Sequence, residues 1–120
     1  MMPKALTIDD AMFMRAMLRK VLEPAGFEVI EAANGAEGIK AYQEHKPDVV
    51  LMDVTMPEMD GIQATKAIKE LDPNARIVIC SALGQQATVI SAMEAGAVEY
   101  VTKPFQPPQV LEAVKRALAA

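Results

Sequence analysis

The chain has 120 residues, 52% of them hydrophobic and 23% charged, with a formal net charge of −4 at pH 7. That length fits a single domain over residues 1–120, and the composition is that of an ordinary globular core, which excludes disordered, fibrous and low-complexity classes. Lysine and arginine are scattered in ones and twos without a basic stripe, so nucleic acid is not an expected partner.

No apolar run approaches the ~20 residues of a membrane helix. The N-terminus has no basic head, apolar core and small-residue cleavage site, and the expected compartment is therefore the cytoplasm. Short apolar runs alternate with stretches of helical periodicity, and five rounds fit the length. The first strand is expected at Lys4 to Ile8. Met14, Met17, Leu18, Val21 and Leu22 then form the apolar face of a first helix, with the two methionines as core filler. Pro24 is expected to end that helix early, and Gly26 closes it in a left-handed conformation.

The second strand is expected at Phe27 to Ala32, with Asn34 as the N-cap of the helix that follows. His45, near the end of that helix and before Pro47, reads as a surface side chain. The third strand is expected at Asp48 to Met52. Beyond it runs the loop Met56, Pro57, Glu58, Met59, Asp60, Gly61, in which proline fixes one dihedral and glycine frees another. The fourth strand, Arg76 to Cys80, holds the one cysteine, Cys80, as a small buried hydrophobe; no disulfide can form within the chain. Gly96 closes the fourth helix, Val98 to Thr102 is the fifth strand, and Pro107 or Pro108 opens the fifth helix.

Strands that alternate with helical crossovers pair in parallel, and right-handed crossovers put helices on both faces of an open sheet. The expected fold is α/β, a doubly wound (βα)5 sheet of flavodoxin-like order 2-1-3-4-5. Its ligand crevice lies outside the carboxyl ends of strands one and three. Asp9 and Asp10 follow strand one, Asp53 follows strand three, Ser81 follows strand four, and Lys103 with Pro104 follows strand five. Three carboxylates drawn together repel one another unless their pKa values rise or a cation joins them. All-oxygen ligation open to solvent suits Mg²⁺, which keeps waters and shares its coordination with phosphate. The Lys103 ammonium can pair with phosphoryl oxygens across the crevice, Ser81 can offer a hydrogen bond, and an Asp carboxylate is a competent nucleophile toward phosphorus.

Taken together, these residues resemble the bacterial response-regulator receiver family along essentially the whole chain. The resemblance is carried by the Asp9–Asp10 pair, by Asp53 followed by Thr55, Met56, Pro57, Glu58, Met59, Asp60 and Gly61, by Ser81 with Ala82, and by Lys103 with Pro104 and Phe105. It implies that Asp53 accepts the phosphoryl group, that Asp10, Asp53 and the Thr55 carbonyl ligate Mg²⁺, and that Asp9 helps through water. A cis bond between Lys103 and Pro104 is implied as well. By the same resemblance Ser81 corresponds to the hydroxyl that moves toward the phosphoryl group, and Tyr100 to the aromatic that turns inward with it.

The segment from Ser81 to Gln86 and the run Lys103 to Gln106 look most like stand-alone chemotaxis regulators of the CheY type. That likeness implies a monomer that receives its phosphoryl group from a CheA-type histidine kinase and binds the flagellar motor switch, with a phosphatase as a further partner. It also implies a signalling phosphoacceptor that catalyses only its own phosphotransfer and dephosphorylation. A single-domain phosphorelay intermediate is the alternative within the family.

Some positions depart from the common pattern. Thr7 puts a hydroxyl where strand one usually has an aliphatic side chain, and it must find a partner or reduce stability. Leu83 offers no polar group to orient water and Thr55 only a hydroxyl, so these two positions are expected to set the phosphoryl lifetime. Other classes fit poorly: the loop after strand one lacks the Ser, Thr and Gly of a flavin phosphate site, and there is no Gly-x-x-x-x-Gly-Lys for a nucleotidase.

Overall fold

The structure, a computed structural model, describes residues 2–82 and 84–120. Ten elements alternate along the chain: β1 (Lys4–Ile8), α1 (Met12–Leu22), β2 (Glu28–Ala32), α2 (Gly35–His45), β3 (Val49–Asp53), α3 (Gly61–Leu71), β4 (Ile77–Ala82), α4 (Gln86–Glu94), β5 (Glu99–Lys103) and α5 (Pro107–Ala119). All strands pair in parallel in the order β2-β1-β3-β4-β5, as the alternation predicts.

The sheet separates two apolar layers. On one face Ala5, Val49, Leu51, Val78 and Cys80 pack against α1 and α5 through Leu18, Leu22, Val110, Ala113, Val114 and Ala117. On the other, Leu6, Ile8, Val50, Met52, Ile77 and Ile79 meet α2, α3 and α4 through Tyr42, Ala64, Ile68 and Ala92. Residues one apart in a strand point to opposite faces, so the continuous apolar runs of β1, β3 and β4 fill both layers. Met14 and Met17 pack at the edge of the first layer, and His45 is exposed. Cys80 is fully enclosed, and burial pushes its thiol up to about 12, which leaves it unreactive.

The helix ends follow local chemistry. Asn34 caps α2 by accepting from the Glu37 N–H at 2.8 Å. Asp60 and Gln63 form a reciprocal capping box at the start of α3. Pro107 and Pro108 occupy the first turn of α5, and Gly26 and Gly96 take positive φ of 99° and 118° where α1 and α4 end.

Three strands begin and end one or two residues later than their apolar runs suggest. Asp53 pairs with Cys80, Ser81 with Thr102 and Ala82 with Lys103, so the ladder carries polar residues that hydropathy assigns to turns. The Thr7 hydroxyl is fully buried and has no partner among the described residues, and the same holds for Thr65 on α3.

Candidate metal and phosphoryl site

The carboxyl ends of β1, β3 and β5 converge, although Asp9, Asp53 and Lys103 are far apart in sequence. One carboxylate oxygen from each of Asp9, Asp10 and Asp53 can be chosen so that all three lie within 4.8 Å of one another. Asp9 is 2% exposed and Asp53 7%, whereas Asp10 faces solvent. Lys103 Nζ lies 3.2 Å from Asp53 Oδ1 and 3.5 Å from Asp9 Oδ2, which places the ammonium between the two buried acids.

One lysine does not neutralise this cluster. Burial raises the pKa of Asp53, and the neighbouring Asp9 charge raises it further, against the opposing pull of Lys103. Burial pulls the pKa of the Lys103 ammonium down, but the Asp53 and Asp9 charges outweigh it and raise the pKa above the ordinary lysine value. A buried carboxylate whose ionisation is penalised by a second one is a site short of positive charge. Three hard oxygens at this spacing therefore fit a small divalent cation such as Mg²⁺.

The two oxygens of Asp53 are inequivalent. Oδ1 accepts from Lys103 and, at 3.4 Å, from the Thr55 N–H; Oδ2 accepts no hydrogen bond among the described residues. On the other side of the pocket, Asp9 Oδ1 accepts from the Ala11 N–H at 2.9 Å, which fixes its side chain across the turn into α1. Arg15 Nη1 donates to the Asp9 carbonyl at 2.6 Å, and its Nε pairs with Glu31 on β2 at 3.0 Å. Arg19 joins the same glutamate at 2.8 Å. Helical periodicity alone does not reveal this role of Arg15 and Arg19; an acidic residue near the end of the neighbouring strand is the available signal.

The loop after Asp53 differs from expectation in one respect. Gly61 is the first residue of α3 and supplies no unusual dihedral; Glu58 instead takes the left-handed conformation, at φ 68°. Glycine is needed at 61 because a Cβ there would collide with the Asp53 carbonyl oxygen and approach Val54 Cα to 2.8 Å. The helix begins this close because the Gly61 N–H donates to the Val54 carbonyl at 2.8 Å, which ties the start of α3 to the segment carrying Asp53. Met59 closes the loop over Gly35, where a Cβ would meet its sulfur at 2.8 Å.

The remaining expected residues line the same rim. Ser81 is 2% exposed near the end of β4, beside the strand that carries Asp53. The Lys103–Pro104 bond is cis, as the resemblance implies. Tyr100, in contrast, is 49% exposed and lies outside the pocket, lining a groove with Ile90, Met93 and Val89 of α4. Leu83 lies outside the described residues.

This geometry accords with comparisons to known proteins. Residues 5–115 match the family model of the response regulator receiver domain. The chain belongs to the response regulator receiver family. It is 54% identical over 116 residues to the chemotaxis protein CheY of Bacillus subtilis (strain 168), covering 96% of this chain and 97% of that protein. The chemotaxis protein CheY of Thermotoga maritima is 54% identical over 114 residues, covering 94% and 95%. Among solved structures, the chemotaxis protein CheY4 of Vibrio cholerae superposes with a TM-score of 0.92 at 30% identity, covering 98% of this chain and 99% of that one. This receiver is thus closely related to CheY proteins, and its acidic cluster is compatible with the Mg²⁺ pocket of the family. No helix among the described residues is long and apolar enough to cross a membrane.

Proposed function

We propose that this receiver is a phosphorylation-activated switch of a two-component chemotaxis system, with Asp53 as the phosphoacceptor. The observation that carries this reading is the charge arrangement around Asp53. It is a buried carboxylate with one oxygen held by Lys103 and Thr55, the other free of hydrogen bonds among the described residues, and two further carboxylates within reach of a shared cation. Asp53 Oδ2 is the oxygen available to attack phosphorus. As the new O–P bond forms, the bond from phosphorus to a histidine nitrogen of the donor breaks, and the imidazole leaves with its electron pair.

Asp9, Asp10, Asp53 and the Thr55 carbonyl are the groups that would hold Mg²⁺, which when bound supplies positive charge to the transferring phosphoryl oxygens. Lys103 is already charged and stands 3.2 Å from Oδ1 of the same carboxylate, so little reorganisation is needed to meet the charge that develops beside it. Ser81 supplies the hydroxyl that answers the phosphoryl group. The resulting charge favours the arrangement in which Ser81 and Lys103 both contact it, and the groove beside Tyr100 changes with it. The chain thereby catalyses its own phosphotransfer and dephosphorylation without being an enzyme toward another substrate.

The likeness to CheY proteins supports a CheA-type histidine kinase as donor and the flagellar motor switch as target, with action as a monomer in the cytoplasm and a phosphatase resetting the signal. The test is mass spectrometry after incubation with acetyl phosphate, with and without Mg²⁺. Wild type is expected to gain one phosphoryl group only when Mg²⁺ is present, and Asp53→Asn to gain none. A gain retained by Asp53→Asn, or no gain by wild type, would overturn the assignment.

A further inference from the structure

Gln85 occupies the N-cap position of α4 at φ −100° and ψ 43°, yet its side chain makes no cap bond to that helix. It turns back instead. Oε1 accepts the Ala82 N–H at 2.8 Å, and Nε2 donates to Thr55 Oγ1 at 3.3 Å. Chemistry fixes the orientation of the amide, because the Ala82 N–H can only donate and must face the oxygen.

The two partners belong to the two segments that frame the acidic pocket. Ala82 ends β4 beside the buried Ser81 and pairs in register with Lys103. Thr55 stands two residues beyond Asp53, and its own N–H donates to Asp53 Oδ1. One side chain therefore straps the β4–α4 turn to the loop that leaves the acceptor. Gln85 also lines the groove formed by Ile90, Met93 and Tyr100, so the strap links the pocket to that groove.

We infer that Gln85 is a positioning residue: its bond to Thr55 holds the β4–α4 turn and the start of α4 in the arrangement of the unphosphorylated protein, and release of that bond favours the phosphorylated one. This rests on the reading of Asp53 as phosphoacceptor. A contact made in only one of two arrangements stabilises that arrangement by its own free energy. The strap has weight because, among the described residues, no side chain caps α4 and Ala92 is its one buried residue.

The experiment titrates wild type, Gln85→Met, Thr55→Val, Thr55→Ser and the Gln85→Met/Thr55→Val double variant with beryllofluoride, a tetrahedral phosphoryl mimic, at saturating Mg²⁺. Gln85→Met keeps the side chain's length and removes both polar ends; Thr55→Val removes the acceptor and keeps the backbone carbonyl. Each is expected to bind the mimic about two- to fivefold more tightly, as loss of one partly exposed hydrogen bond predicts. The double variant should match Gln85→Met, because both changes break the same bond. Thr55→Ser keeps the hydroxyl and should bind like wild type.

Unchanged or weaker binding by Gln85→Met and Thr55→Val, or fully additive gains in the double variant, overturns the strap while leaving the phosphoacceptor reading intact. A wild type that takes up no beryllofluoride removes both. Thermal unfolding of each ligand-free variant separates a loss of fold from a shift in the switch.

Discussion

Helices α3 and α4 lie on the same face of the sheet and are anchored very differently. At its start α3 has a reciprocal capping box and a glycine pressed against the Asp53 carbonyl; it buries Ala64, Thr65 and Ile68 along its length. Beyond its end, Lys69 Nζ donates to the carbonyls of Pro73 at 2.6 Å and Ala75 at 3.1 Å. By contrast, α4 has no side-chain cap, buries only Ala92 and leaves Ile90 60% exposed. The difference shows how one small sheet combines a firmly anchored helix with a loosely anchored one. The element that holds the loop after Asp53 is over-determined, and the element beside the outward groove is held by few contacts, as regions that change arrangement generally are.

The largest expected effect tests this contrast directly. Ile68→Ala should lower unfolding free energy by about 2–5 kcal/mol, since it opens a cavity in a fully buried layer. Ile90→Ala, one helix away, should change it by no more than about 0.5 kcal/mol. Urea denaturation of the two variants gives both values, and similar losses would erase the distinction between the helices.

Capping gives a smaller effect. Asp60→Ala removes the acceptor of the Gln63 N–H, which stands at 2.9 Å, and should destabilise the protein by about 1 kcal/mol. Amide exchange should quicken in the first turn of α3 and approach the faster rate expected of the first turn of α4 in wild type. Equal protection of the two helices before the substitution would contradict the comparison.

The smallest effect extends the contrast to the opposite face, where α1 is tied to β2 by charge. Burial disfavours the Glu31 carboxylate, but hydrogen bonds from Arg19 and Arg15 prevail and hold its pKa below the ordinary glutamate value of 4.5. A depressed folded-state pKa gives stability that is present above the unfolded value and lost as pH falls through the folded one. Glu31→Gln should therefore cost up to about 1 kcal/mol at neutral pH and flatten the acid limb of the stability profile below pH 4.5. If the variant and wild type lose stability in parallel on acidification, the pairing contributes nothing measurable.

Much of this architecture was legible in the sequence because it depends on local pattern. Apolar runs such as Val49 to Met52, broken by Asp53, give both the strand and the functional residue at its end. The sheet order then brings Asp9, Asp10, Asp53 and Lys103 to one crevice without any further information. What was not legible depends on contacts between segments distant in the chain. Gly61 looks like a turn glycine until the Asp53 carbonyl is seen against it. Gln85 looks like a surface amide until Ala82 and Thr55 are found on its two ends. The one- or two-residue shift of β3, β4 and β5 has the same origin, since neighbouring strands decide where pairing stops.

The chain order of the pocket has a consequence for biosynthesis. Asp9 and Asp10 emerge from the ribosome before Asp53, and Asp53 before Lys103, and the lysine reaches the two buried acids only when β5 has joined the edge of the sheet beside β4. A partly made, truncated or unfolded chain has the aspartates but not the pocket. Completion of folding is thus a condition for assembling the site.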